Sequence, residues 1–193
     1  MLQGKSDPWA EHPGGARALE AIRSRLSADR LLTLVAIDGR GGSGKSSLAF
    51  FLAKRLSETT VVHTDDFAQP GVPGWDWRRF RRQVVEPLLR GEVGRYQRYD
   101  WQEDRLAEWY DVPSRGVVIV EGVSSTRREL AVPWDVTVWV ETPKDVRLVR
   151  GIARDGEAMR SQWENVWEPE EDRYVEEQQP DRRADIVVNG VSP

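Results

Sequence analysis

The sequence predicts an α/β fold, a five-stranded parallel sheet flanked by helices, and three observations predict it. Five short apolar runs of strand length (residues 31–37, 59–63, 116–120, 136–140 and 186–188) punctuate the chain. The longer ones are near-continuous in Val, Ile and Leu rather than alternating, the pattern of strands buried on both faces. Segments with helical spacing separate most of these runs, as right-handed βαβ crossovers require. A glycine-rich turn, Gly39 to Gly44, joins the first run to a helix.

In chain order, residues 1–13 read as a loose lead-in to one domain spanning 14–193. Ala16 to Ala28 places Leu19, Ile22 and Leu26 at i, i+3 and i+7, an amphipathic helix. Leu31–Ile37 is the first strand, and Lys45–Leu56 a helix after the glycine-rich turn. Thr59–His63 is the second strand and ends at Thr64, Asp65 and Asp66. Gln69–Gly74 is a loop with two prolines and two glycines. A helix from Trp75 or Asp76 to Leu89 is closed by Gly91. Its Phe80, Val84, Val85 and Leu88 face inward, and Arg78, Arg79, Arg81 and Arg82 form a solvated face or, alternatively, a cationic wall. Glu92–Pro113 has no clean period and reads as a loop or hairpin plus a short helix. Gly116–Val120 and Val136–Val140 are the next strands. Pro143, a favourable first-turn residue, opens a helix to about Arg154. Gln162–Glu177 reads as a helix interrupted by Pro169, and Ile186–Val188 is the last strand.

The chain has 193 residues, 28 Lys plus Arg against 32 Asp plus Glu, and a net charge of −4. That balance argues against a mainly electrostatic nucleic-acid partner. The absence of cysteine excludes disulfides, thiolate zinc sites and a cysteine nucleophile. The start MLQGKSDPWAEHPGG is too polar for a signal peptide, and no apolar run approaches about 18 residues. The expectation is a cytoplasmic protein with neither membrane nor nucleic acid as partner. Trp75, Trp77, Trp101, Trp109, Trp163 and Trp167 lie in polar stretches, and either cover a core or stack on a flat ligand.

The sharpest motif is Gly39-Arg40-Gly41-Gly42-Ser43-Gly44-Lys45-Ser46, a complete G-x-x-x-x-G-K-S followed by Ser47. Glycines let backbone N–H groups point inward, and the helix N-terminus beyond them favours anions. Lys45 supplies a compact charge for the β- and γ-phosphates, and the Ser46 hydroxyl suits Mg²⁺. Ligands of open α/β sheets bind beyond the carboxyl ends of the strands. Asp65, Asp66 and Glu121 fall there. Phosphoryl transfer needs a carboxylate to orient the acceptor hydroxyl and a metal opposite the phosphates. Either aspartate suits the first task, and Glu121 suits the second, directly or through water. Asp38 reads as structural, and His63 as a packing residue or a backbone hydrogen-bonder.

These residues resemble a known group. VAIDGRGGSGKSS, HTDDF, VVIVEGV and VWVETPKDVRLVRGIARD look like the uridine kinase and phosphoribulokinase group of P-loop kinases, from about residue 31 to residue 188. The resemblance implies a five-stranded parallel sheet with an arginine-bearing lid, here short and near 155–165. It implies ATP held by Gly39 through Ser47, with Arg40 and Ser43 included, and Mg²⁺ held at Ser46, Asp65 and Glu121. Asp65 matches the catalytic base, with Lys45 and Arg154 as its catalytic companions. Arg150 and Arg154 match lid arginines that contact phosphate or stack on adenine. Tyr99 and Asp100 resemble the acceptor-side pair, and Asp66, Trp75, Tyr99 and Arg160 are the substrate-binding candidates. Asn189-Gly190 either lines the adenine pocket or forms a simple turn.

Three departures fall on the acceptor side. Ala68 stands where the group has Tyr, the segment from Phe67 to Trp75 is short, and the lid carries only Arg160 after Asp155. The implied activity is ATP- and Mg²⁺-dependent phosphorylation of a small-molecule hydroxyl, with a uridine- or cytidine-like nucleoside as default acceptor. The alternatives are a sugar, vitamin or antibiotic hydroxyl, and a non-catalytic ATP-binding regulator.

Overall fold

A computed structural model describes residues 8–27, 29–100 and 103–191. Five parallel strands form one sheet: β1 (Leu32–Asp38), β2 (Thr59–His63), β5 (Gly116–Glu121), β6 (Val136–Glu141) and β7 (Ile186–Asn189), in the order β2-β5-β1-β6-β7. Strands β3 (Gly94–Asp100) and β4 (Arg105–Val112) make a separate antiparallel hairpin. The hairpin fills the segment 92–113, so the short helix expected there gives way to strand pairing. Tyr96 and Val112 point into the core and set its register.

Helices cover both faces of the sheet. On one face, α1 (Pro13–Arg23) and α2 (Lys45–Ala53) pack Ile22, Leu48 and Leu52 against Val35, Ile37, Ile119 and Val138. On the other, a third helix (α3, residues 77–89) and the hairpin pack Phe80, Val84 and Tyr96 against Leu34, Val118 and Val120. Successive residues of β1 and β5 therefore enter opposite cores, which is why their runs are apolar without alternation. Each such side chain, fully buried, stabilises the fold by about 1.5–3 kcal/mol.

α1 starts earlier and stops sooner than its periodicity suggests. Pro13 takes the first turn, the His12 ring accepts a 3.0 Å hydrogen bond from Gly14 N, and Leu26 lies beyond the end, exposed. Ala28, Trp101 and residues 1–7 of the lead-in lie outside the described residues. The remainder of the lead-in is not loose, because Trp9 is buried against the α1–α2 face.

After β6, helix α4 spans Lys144–Asp155, and a fifth helix, α5, runs through residues 160–178. Proline interrupts neither α3 nor α5. Each contains one widened π turn, Arg81–Val85 and Trp163–Trp167, ending just before the segment that carries Pro87 or Pro169 near its start. A proline removes one donor and crowds the carbonyl four residues back. The wider turn accommodates both losses without breaking the helix. The short helix α6 (Pro180–Arg183) leads into β7. Among the described residues no helix is long and apolar enough to cross a membrane.

Candidate active site

The carboxyl ends of β1, β2 and β5 bring the motif residues together. Beyond β1 the chain turns through the glycine loop into α2. Gly44 is the N-cap of α2 at φ 100° with no side chain capping the helix, so its first-turn N–H groups are left for an external anion. Gly42, at φ 73°, passes so close to α4 that a Cβ would lie 2.5 Å from the Arg147 carbonyl oxygen. Lys45 is buried and donates to the Arg40 carbonyl at 2.8 Å. Ser43 is fully buried, and its Oγ has no hydrogen-bond partner.

Strand register builds the acidic side. Ile37, Glu121 and His63 are cross-strand partners on β1, β5 and β2. Glu121 Oε1 consequently accepts from His63 Nδ1 at 2.5 Å and from Ser46 Oγ at 3.0 Å. Burial pushes the Glu121 carboxyl up, but the His63 hydrogen bond, the Lys45 charge and the Ser46 hydroxyl outweigh it and hold it below the usual value. The same hydrogen bond raises His63 against the opposing effect of burial. His63 thus contacts a carboxylate, not the core or a backbone group as the sequence suggests.

Asp65 and Asp66 occupy the 3₁₀ turn Thr64–Phe67 directly after β2, and they diverge. Asp65 is exposed, and its charge acts on His63 and on Arg154. Asp66 is half-buried, and its Oδ2 accepts from the Tyr96 hydroxyl at 2.8 Å. Burial raises the Asp66 carboxyl. Arg79 supports that turn from behind: it is buried, donates to the carbonyls of Gln97 (2.7 Å) and Asp66 (3.1 Å), and lies over the Phe67 ring. Arg79 therefore leaves the arginine face predicted for α3.

The other predicted residues are distributed unevenly. Arg150 spans the loop, donating to the carbonyls of Gly42 (3.4 Å) and Gly190 (3.0 Å). Gly190 is packed where a Cβ would meet Ser43 O at 2.2 Å, so the chain after β7 closes on the loop. Arg40 turns away to Asp172 of α5, with Nη2 at 2.9 Å. Arg154 pairs with Asp155 (Nε–Oδ1 2.7 Å) and lies over Trp163, while both it and Asp155 border the link to α5. Arg160 is held on the surface by Glu157 and Glu164. Trp75 is a core residue, 5% exposed, whose indole N–H donates to Ser124 Oγ at 2.9 Å. The Tyr99 ring is buried in the hairpin and its hydroxyl bonds Asp104, which pushes its pKa up to about 12. Trp75 and Tyr99 accordingly present no open aromatic face for stacking.

Several residues of the site are not evident from motifs. Asp38 is buried and accepts from Gly39 N, Ser124 N, Thr126 N and Oγ1, and the Tyr174 hydroxyl, tying β1, the loop after β5 and α5 together. Glu171 of α5 reaches Gly41 N at 2.9 Å. The available signal was spacing: Trp163, Trp167, Glu171 and Tyr174 recur on one helical face.

The oxygens of Ser46, Glu121 and Asp65 suit Mg²⁺, which with a nucleotide needs only one or two protein ligands beside phosphate and water. Among the described residues no three His, Cys, Asp or Glu side chains form a metal cluster by themselves. The uncapped α2 N-terminus and the cradle that a Cβ at Gly42 would obstruct fit a polyphosphate.

No family model matches the chain. A uridine kinase from Clostridium perfringens is 31% identical over 183 residues, covering 80% of this chain and 85% of that protein. A uridine kinase from Ureaplasma parvum is 25% identical over 188 residues, covering 81% of this chain and 88% of that protein. The solved structure of a possible uridine kinase from Bacillus stearothermophilus superposes with a TM-score of 0.69 at 23% identity, covering 90% of this chain and 96% of that one.

Proposed function

The chain belongs to the uridine kinase family, and from that premise we propose that it transfers the γ-phosphoryl group of ATP, with Mg²⁺, to a hydroxyl of a nucleoside. The observation that carries the reading is the exposed Asp65 at the end of β2, whose charge acts together with that of Glu121, the partner of Ser46, on both His63 and Arg154. Asp65 orients the acceptor hydroxyl and takes its proton. Lys45 and the first-turn N–H groups of α2 hold phosphate; Ser46 and Glu121, with Asp65, would hold Mg²⁺, which when bound would neutralise phosphate charge. Arg150 lies over the loop, and Arg154 reaches the phosphoryl group by leaving Asp155 as the 155–165 lid closes. Such transfer asks little covalent chemistry of the protein, so position and electrostatics supply the rate.

A uridine- or cytidine-like nucleoside is the default acceptor. Ala68 and the short segment after Phe67 shape the acceptor side, and Asp66, held by Tyr96, forms its inner wall. Work in a cytoplasmic setting, without nucleic acid or membrane as partner, completes the reading. The test is ATP consumption across a panel of nucleosides, sugars and other small alcohols. A nucleoside should stimulate turnover, and Asp65→Ala should lower it about 100-fold or more while ATP affinity stays. Stimulation by a non-nucleoside alcohol alone would move the acceptor class, and tight ATP binding without any stimulating acceptor would leave a regulator instead.

A further inference from the structure

Helix α5 places a buried carboxylate on the phosphate loop. Trp163 and Glu171 are its buried residues on the face toward the loop, 2% and 7% exposed. Trp163 covers Gly41 so closely that a Cβ there would lie 2.8 Å from its ring. Glu171 Oε1 accepts from Gly41 N at 2.9 Å, and Oε2 lies 3.5 Å from Arg147 Nη1. A buried charge is costly unless it is paired, and the pairing here uses the loop itself. Lys45, Arg147 and Arg40 all act on this carboxyl through their charge. Burial nevertheless holds it above the ordinary glutamate value.

Contacts other than those of Glu171 also hold the helix in place. Trp163 donates to Asp155 at 3.0 Å, Asp172 pairs with Arg40, and the Tyr174 hydroxyl donates to Asp38 at 2.6 Å, so α5 is anchored on both sides of Glu171. What Glu171 adds is an anion inside a loop whose N–H groups and lysine suit anions. A nucleotide phosphate draws on the same Lys45 charge and meets the Glu171 carboxylate across it. We propose that Glu171 sets how tightly the loop holds nucleotide, acting as an internal anion that weakens binding of the triphosphate more than of the diphosphate. It is a positioning and affinity-setting residue, not a catalytic one. The inference rests on the reading of Gly39–Ser47 as an ATP phosphate loop.

Calorimetric titration of Mg·ATP and Mg·ADP tests it with the full chain. Glu171→Gln keeps the size and an acceptor oxygen for Gly41 N but removes the charge. It should bind ATP about tenfold tighter than wild type and ADP by a smaller factor. Tyr174→Phe, which loosens the anchor without changing charge, should keep the wild-type ATP-to-ADP affinity ratio. Thermal melting checks that each variant folds, and Glu171→Ala replaces the Gln variant if that one does not. ATP binding by the Glu171 variant that is unchanged or weaker overturns the proposal and leaves Glu171 a brace. An equal shift of the ratio in Tyr174→Phe overturns it as well. If Lys45→Ala binds ATP as tightly as wild type, the phosphate-loop reading itself falls, a separate result from the failure of Glu171.

Discussion

Glu121 and Glu171 are both buried glutamates beside Lys45, and their surroundings move them in opposite directions. Two side-chain donors, His63 and Ser46, hold Glu121 below the usual value, whereas Glu171 receives one backbone N–H and only a long 3.5 Å contact from Arg147. The difference gives a pH prediction. The folded pKa of Glu171 lies above its unfolded value of 4.5, so the native state binds the extra proton and stability falls as pH rises from about 4.5 through the folded value. Glu171→Gln lacks this loss. Its stability relative to wild type, read from urea unfolding at several pH values, should grow across that window and then level off. A difference independent of pH would contradict the assignment. The glycine loop, Asp65 and Glu121 were legible in the sequence, because a motif and a strand end locate them without knowledge of the packing. His63 and Glu171 were not. The partner of His63 follows from the β2–β5 register, and that of Glu171 from the docking of α5, and neither is encoded by local spacing.

At the scale of elements, α5 is joined to the loop by close approach as much as by charge. The Trp163 ring covers Gly41 and Gly151, where added Cβ atoms would lie 2.8 and 2.5 Å from it, and its indole N–H donates to Asp155 at 3.0 Å. Trp163→Ala leaves a cavity at this junction and should cost about 3–5 kcal/mol in denaturant unfolding. Gly42→Ala combines a positive φ with a Cβ 2.5 Å from the Arg147 carbonyl oxygen. It should destabilise by about 1–3 kcal/mol and weaken nucleotide binding, both measurable by melting with and without ATP. Helical spacing identified α1, turn and first-turn residues helped to place α2, α3 and α4, α5 was read as a helix interrupted by Pro169, and the apolar runs identified all five parallel strands. The segment 92–113 was ambiguous because Tyr96 and Tyr99 are inward while Trp109 and Tyr110 are exposed aromatics on its partner strand. Its hairpin is fixed by cross-strand pairing and by the α3 surface beneath it. Pro169 looks like a helix break in the sequence, since the π turn that absorbs it, like the one before Pro87, appears only in the backbone.

Across the whole molecule, a −4 chain gathers Lys45, Arg150 and the α2 N-terminus at the sheet end where Asp65 and Glu121 also lie. The parallel sheet order places β1, β2 and β5 side by side, and this adjacency turns three separate motifs into one site. The fold and the placement of the glycine loop were readable because they depend on pattern and on short contiguous motifs. The acceptor side was less so, because the sequence leaves Trp75 as either a core residue or a stacking one, and burial with the bonds to Ser124 and, for Tyr99, to Asp104 is seen only in the packing. The central claim is transfer of a phosphoryl group to a nucleoside hydroxyl at Asp65. Mass spectrometry of products after incubation with ATP, Mg²⁺ and uridine or cytidine tests it most directly. The account predicts a nucleoside monophosphate formed together with ADP, and its loss in Asp65→Asn. Unchanged nucleoside beside ADP and free phosphate, or a monophosphate formed equally well by Asp65→Asn, would contradict it.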